Sequence, residues 1–162
     1  TKLSKFLRYS LDHSPLDRVT LAHELETSRL YLDIEKVRFA ERMRLELDIE
    51  QKAEAALVPT MLLQPIIENS IKHGISKTEH GGTIRIEAKK VGELLMIQIT
   101  DDGPGVANVE IAEQQMELSN GVGISNIRNR LHEIYGEHYD LAFSNVEPSG
   151  LTVKVLIPYD TE

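Results

Sequence analysis

The stretch Leu62-Leu-Gln-Pro-Ile-Ile-Glu-Asn-Ser-Ile-Lys-His-Gly74 decides how the rest of the chain is read. Wound as a helix, it puts Leu62, Ile66, Ile67 and Ile71 on one apolar face. Asn69, Lys72 and His73 stand at i, i+3 and i+4 and share another face. An amide oxygen, an ammonium and an imidazole gathered in one place suit a triphosphate with its metal. Asn offers a neutral oxygen to Mg2+ and Lys offsets phosphate charge. The same pattern also describes an ordinary amphipathic helix with a polar outer face, and the stretch by itself does not choose between the two.

Working outward, Pro59 is expected to open this helix, near the first turn where its missing N–H costs little. Upstream, Arg44-Leu-Glu-Leu-Asp-Ile-Glu50 alternates and reads as a strand with Leu45, Leu47 and Ile49 on one face. Downstream, Gly81-Gly82 turns into a strand over 83–90 that carries Ile84, Ile86 and Ala88. Leu95, Ile97 and Ile99 alternate next, in a strand ending on Asp101. Residues 107–120 are acidic, polar and weakly patterned, and read as a long loop. A helix is expected from Gly123 to about Tyr135, closed by Gly136, followed by strands over 139–145 and 151–158.

At the start of the chain, Leu3, Phe6, Leu7 and Leu11 have helical spacing, broken at Ser14-Pro15. A second helix is expected from Thr20, a suitable N-cap, to about Ala40. This pair reads either as an appendage that packs on a partner chain or as a solvated surface pair. Strands in adjacent pairs allow hairpins. The predicted fold is α+β: a two-layer sandwich of a mixed, mostly antiparallel sheet with helices on one face, preceded by a helical segment.

Composition narrows the function classes. The chain has 162 residues, 41% hydrophobic and 27% charged, which is a folded rather than a disordered balance. A net charge of −8 disfavours general nucleic-acid binding, because no excess of Lys and Arg faces the phosphates. The absence of Cys excludes disulfides and Cys-ligated zinc or iron–sulfur sites. No apolar run approaches the roughly 18 residues that would span a bilayer. The opening amphipathic pattern has no N-cap before it, so the expectation is a fragment entered in mid-helix.

Two further segments carry chemistry. Asp101-Asp-Gly-Pro-Gly105 ends a strand. Its glycines permit close backbone approach, and a carboxylate held there can accept from an exocyclic amine, selecting adenine over guanine. The same residues are also those of a plain turn. In Asn120-Gly-Val-Gly-Ile-Ser-Asn-Ile-Arg-Asn-Arg-Leu131 a Gly-rich turn leads straight into a helix, and free N–H groups with the helix dipole favour phosphate. It has neither the P-loop nor the Rossmann spelling. Arg128 and Arg130 read equally as phosphate ligands and as solvation for the helix.

In this order and spacing the three segments resemble the N, G1 and G2 boxes of the GHKL ATPase superfamily, named for gyrase, the heat-shock chaperone, histidine kinases and MutL. The resemblance covers about residues 44–158, and Ser149-Gly-Leu-Thr152 echoes a superfamily Thr near the adenine-contacting Asp. The finer spelling is similar to LytS-type sensor histidine kinases. Upstream, Leu21-Ala-His-Glu-Leu-Glu and Tyr31-Leu-Asp-Ile-Glu-Lys-Val-Arg-Phe39 fit that branch as well. The resemblance implies ATP and Mg2+ as cofactors, with Asn69 on the metal, Lys72 on phosphate and His73 beside the nucleotide. It implies Asp101 on the adenine amine, with Gly103 and Gly105 shaping that pocket and Gly121 and Gly123 the phosphate lid. Asn126, Arg128 and Thr152 complete the implied nucleotide set. It divides the chain into residues 1–41, the end of a helical dimerisation and phosphotransfer region, and residues 42–162, the catalytic domain.

Two departures matter. ATP-hydrolysing members carry a general-base Glu four residues before the metal-binding Asn, and Pro65 stands there. Proline cannot activate water, and Glu68, next to Asn69, points about 100° away on a helix. Transfer to another group is therefore expected over hydrolysis. The family's acceptor segment, H-x-x-F-N, does not occur in this sequence. His13 and His23 are acceptor candidates by residue type alone. The resemblance implies a homodimeric parent anchored in the bacterial cytoplasmic membrane, with this part on the cytoplasmic side, and a LytTR-type response regulator as partner. A non-catalytic nucleotide-binding module and a true GHKL ATPase are the alternatives.

Overall fold

The computed structural model describes residues 1–12, 17–39, 42–75, 81–111 and 124–162. Along the chain come α1 (Lys2–Asp12), β1 (Arg18–Thr20), α2 (Leu21–Phe39), β2 (Met43–Ile49), α3 (Gln51–Glu54) and β3 (Leu57–Pro59). Then follow α4 (Leu63–His73), β4 (Gly82–Val91), β5 (Leu94–Asp101), α5 (Ile124–Tyr135), β6 (Asp140–Asn145) and β7 (Leu151–Pro158). Five strands form one sheet in the order β2-β4-β5-β7-β6. β2 runs parallel to β4, and the other neighbours are antiparallel.

Alternation fixes one face of this sheet as the core. In register, Ala88, Ile97, Val155 and Leu141 form one cross-strand row, and Ile86, Ile99, Val153 and Phe143 the next. All are buried. The helices cover them: α4 contributes Leu63, Ile66, Ile67 and Ile71, α5 contributes Ile127 and Leu131, and α2 contributes Leu21 and Leu32. Each fully buried Ile or Leu contributes roughly 2 kcal/mol of transfer free energy, so these rows hold the sheet to its helices. The opposite face is polar. There Arg85 on β4 reaches Glu87 at 3.1 Å, Asp48 at 3.1 Å and Glu46 at 3.4 Å. The expected α+β sandwich, with a mixed, mostly antiparallel sheet and helices on one face, is the fold observed.

The third row matters for function. It runs Ile84, Asp101, Leu151 and Asn145. A carboxylate therefore ends the apolar face of β5, in a position that two rows of apolar residues lead up to.

The structure changes two readings. Pro59 does not open a helix. It ends β3, which pairs antiparallel with β1 in a separate two-stranded sheet, Arg18 facing Pro59 and Thr20 facing Leu57. Thr60, not Pro59, supplies the next N–H, donating to Asp17 O at 3.0 Å, so the proline's missing donor costs no bond there. The helix begins only at Leu63. The start of the chain is also more than an appendage or a solvated pair. Thr20 does cap α2, accepting from His23 N at 3.2 Å. The strand before it, however, is tied to β3, and Leu21 and Leu32 are in the main core. Outer positions remain open: Leu3 and Leu7 on α1 and Val37 on α2 are exposed. Residues 13–16, with the expected helix break, lie outside the described residues. None of the described helices is long and apolar enough to cross a membrane.

Candidate nucleotide site

The end of α4 meets the end of β5, and contact without side chains lets them do so. Gly74 follows α4, its N–H bonded to Ser70 O at 2.9 Å. A Cβ on Gly74 would stand 2.7 Å from Asp101 Oδ1 and 2.8 Å from its Cγ. A Cβ on Gly103 would stand 2.4 Å from Gly74 Cα. All three distances are shorter than real Cβ contacts, so only glycine fits at either position without a shift of its neighbours. Two of the three sequence segments are thus brought into direct contact.

Asp101 is 4% exposed, and its Oδ1 accepts from Gly103 N at 2.9 Å. Burial pushes its carboxyl above the ordinary carboxylate range, against the opposing pull of the Gly103 and Leu151 N–H groups. A nearly dry carboxylate of this kind is a directional acceptor for a ligand amine. Asp102 does different work: its Oδ1 accepts from Thr83 N at 2.8 Å and fastens the start of β4. Gly105 has φ 72, in the left-handed region that favours glycine, and the following N–H of Val106 donates to Asn145 Oδ1 at 3.0 Å. Asn145 Nδ2 returns a bond to Val106 O at 2.6 Å. Asn145 therefore holds the loop after Asp101 to the end of β6, a role that nothing in its local sequence signals.

On α4, Asn69 is half-buried, and its Nδ2 is buried without a hydrogen-bond partner. The fold leaves this N–H2 group without a partner, although an unpaired buried polar group is costly. That is the property expected of a group kept for a ligand. The orphaned atom is the N–H2, a donor for a ligand oxygen; the carbonyl oxygen beside it is a neutral ligand of the kind Mg2+ takes alongside phosphate, so the residue type fits that ion. Lys72 is exposed on the same helix, three residues on. Of His73 only the backbone, as the last residue of α4, is described. Pro65 sits in the first turn of α4, and Glu68 is exposed, its Oε1 accepting from Gln64 Nε2 at 3.1 Å.

The remaining predicted residues are dispersed. Gly121 and Gly123 lie outside the described residues. Asn126 is exposed on α5, and Arg128 donates to Leu141 O at 3.4 Å. Thr152 pairs with Thr100 across β5 and β7, their hydroxyls 2.8 Å apart. Asp101 pairs with Leu151, so Thr152 projects from the face opposite Asp101. The residue that does press on Asp101 is Gly150, at φ 128, where a Cβ would stand 2.1 Å from Asp101 O. Arg130 neither solvates α5 nor stays available: its guanidinium is bonded to Thr60 O and Met61 O, the latter at 3.0 Å.

Comparison with known proteins agrees with this architecture. The family described as "Histidine kinase-, DNA gyrase B-, and HSP90-like ATPase" matches residues 56–161, and the family "Histidine kinase" matches residues 1–43. The sensor histidine kinase YesM of Bacillus subtilis is 34% identical over 160 residues, 99% of this chain and 27% of the relative. BtsS of Escherichia coli K12 is likewise 34% identical, with the same coverage. The sensor histidine kinase/phosphatase LytS of Staphylococcus aureus is 30% identical over 167 residues, 99% of this chain and 28% of the relative. The chain thus spans only about a quarter of the length of these relatives. Among solved structures, the catalytic domain of histidine kinase ThkA superimposes with a TM-score of 0.67 at 13% identity, over 90% of this chain and 98% of that one. The mycobacterial sensor histidine kinase MprB gives 0.65 at 14% identity, over 88% and 97%. The chain belongs to the histidine kinase-, DNA gyrase B- and HSP90-like ATPase family.

Proposed function

We propose that this chain is the catalytic part of a two-component sensor histidine kinase, which binds Mg-ATP and delivers its γ-phosphoryl group to a histidine nitrogen. The observation that carries the reading is the junction of α4 and β5. It sets a dry carboxylate, Asp101, against the end of the helix bearing Lys72 and Asn69, whose Nδ2 has no partner. In this reading Asp101 accepts from the adenine amine. Gly103 and Gly105 leave room for the ring, Lys72 lies along the phosphates with His73 beside them, and Asn69 holds Mg2+. The ion, once bound, neutralises charge on the β- and γ-phosphates. Gly121, Gly123, Asn126 and Arg128 belong to the phosphate-covering segment and the helix behind it. Thr152 is left out, since its hydroxyl faces the other side of the sheet.

Transfer is favoured over hydrolysis. Pro65 stands where a hydrolytic member has its base, and Glu68 is taken up by Gln64 on the surface. The nucleophile is then an acceptor imidazole, whose nitrogen attacks the γ-phosphorus while ADP leaves; that histidine belongs to a segment outside residues 1–162, since no H-x-x-F-N stretch occurs among them. Residues 1–41 are read as the end of the helical dimerisation and phosphotransfer region, which pairs two copies of the parent. Support for a response regulator as partner comes from ThkA, whose structure has been solved in complex with the response regulator TrrA. A LytTR-type regulator and a membrane-anchored parent, with this part in the cytoplasm, complete the proposal.

The test has two stages. Isothermal titration should show Mg-dependent binding of ATP and of a non-hydrolysable analogue. An acceptor segment supplied in trans should then gain acid-labile phosphate. Binding without transfer would leave a nucleotide-sensing module, and substantial steady-state hydrolysis by the chain alone would point to a GHKL ATPase.

A further inference from the structure

The turn that starts α4 is held from two sides by buried or half-buried charged groups that lie far away in the sequence. Leu62, at the N-cap position, has φ −68 and ψ −46 and offers no side-chain cap. The cap comes from α2. Glu24, 1% exposed, accepts from Met61 N at 2.8 Å through Oε1 and from Leu63 N at 3.3 Å through Oε2. A carboxylate this dry is tolerable only where such donors, and the positive end of a helix dipole, meet it. From the other side, Arg130 on α5 donates to Thr60 O and Met61 O. Between these grips Met61 holds φ 58, a conformation that a non-glycine residue keeps only where its surroundings impose it.

The geometry points to Glu24 and Arg130 as positioning residues for the nucleotide site, a proposal that rests on the Mg-ATP reading above. α4 is a rigid rod of 11 residues. Its far end is wedged against Asp101 through Gly74. Its near end is set by the clamp, and Asn69 lies six residues, roughly 9 Å, further along. The clamp therefore controls how far Asn69 projects toward a bound metal, whereas Asp101, on the sheet, is set by β5 and β7. It also joins the two halves of the chain. Glu24 is on the helix of the N-terminal segment, and Arg130 is on the helix that follows the Gly-rich segment. A displacement of α2 would reach the metal ligand through two hydrogen bonds, while Asp101 keeps its own support from β5 and β7.

The separation of metal from adenine supplies the test. Affinity for a non-hydrolysable ATP analogue is measured by isothermal titration with Mg2+ and again with chelator, for wild type, Glu24→Gln, Arg130→Lys and the double variant. Each single variant should lose about ten-fold of the affinity gained from Mg2+. Binding in chelator should stay within about two-fold of wild type. The double variant should be no worse than the worse single one, because both act on one turn. Arg130→Lys keeps the charge and most of the stem, so it carries the test if Glu24→Gln does not fold. Variants that fold and keep the full Mg2+ gain would overturn the inference, as would equal losses with and without Mg2+, which a purely structural role produces. If wild type itself shows no Mg-dependent binding, the nucleotide reading fails first and the clamp's role in it fails as a consequence.

Discussion

The two ends of α4 are fixed by opposite means. At its start, a carboxylate from α2 and a guanidinium from α5 close on the turn through hydrogen bonds that span long sequence separations. At its finish, Gly74 and Gly103 let backbone lie against backbone and against Asp101. The first end depends on electrostatics and satisfied donors, the second on the absence of atoms. The contrast separates two kinds of sensitivity. The start of the helix can be loosened by degrees through charge and hydrogen bonding, whereas the finish is either open or blocked.

Adding atoms at the finish should have the largest effect. Gly103→Ala forces a methyl group to 2.4 Å from Gly74 Cα. We expect a loss of about 2–3 kcal/mol in urea unfolding, together with loss of nucleotide binding, since α4 and β5 must separate to admit it. Removing the grip at the start should cost less and leave a folded protein. Glu24→Ala strands the N–H groups of Met61 and Leu63. A destabilisation of about 2 kcal/mol is expected, with faster hydrogen exchange concentrated at those two amides. Exchange that rose uniformly across the molecule would break the distinction between the ends.

Asp101 gives a prediction with a defined sign. Its carboxyl is held above the ordinary range by burial, so the folded protein binds that proton more tightly than the unfolded chain. The group's stabilising contribution is complete below the unfolded value, about 4, and is lost as pH rises through the higher folded value. Asp101→Asn removes the charge and keeps an oxygen for Gly103. Thermal melts should therefore show the variant gaining on wild type as pH goes from about 4 to 7. The smallest effect is expected at Thr152. Thr152→Val removes a hydroxyl paired with Thr100 on the outer face, and nucleotide affinity should stay within about two-fold of wild type. A large loss there would mean that the wrong face of β7 had been assigned to the ligand.

Strict alternation made the large sheet legible: Ile84, Ile86, Ile97, Ile99, Val153 and Val155 announce their faces with no help from context. The contacts that order the site were far less visible. β1, α3 and β3 are three or four residues long, and a run that short has no period; long-range pairing makes them. Pro59 carried two meanings, helix opener or strand end, and only its partner Arg18 decides. Glu24 reads locally as a first-turn acid favourable to its own helix. Its actual partners, Met61 and Leu63, are 37 and 39 residues away. The Ser149-Gly-Leu-Thr152 echo lies at the turn beside Asp101, but Leu151 shares the face of Asp101 and Thr152 the opposite one, because one step along a strand changes the face. Asn69, Asp101 and Gly103 stand out in the sequence as residue types with a definite chemistry, and the fold brings the ends of their two segments together.

The measurement that bears most directly on the account is isothermal titration of a non-hydrolysable ATP analogue into wild type and Asp101→Asn, in the presence of Mg2+, alongside thermal melts of both. We expect saturable, Mg-dependent binding to wild type and a loss of at least about 100-fold in the variant, which stays folded and no less stable at neutral pH. Equal binding by the two folded proteins, or none by either, would contradict it.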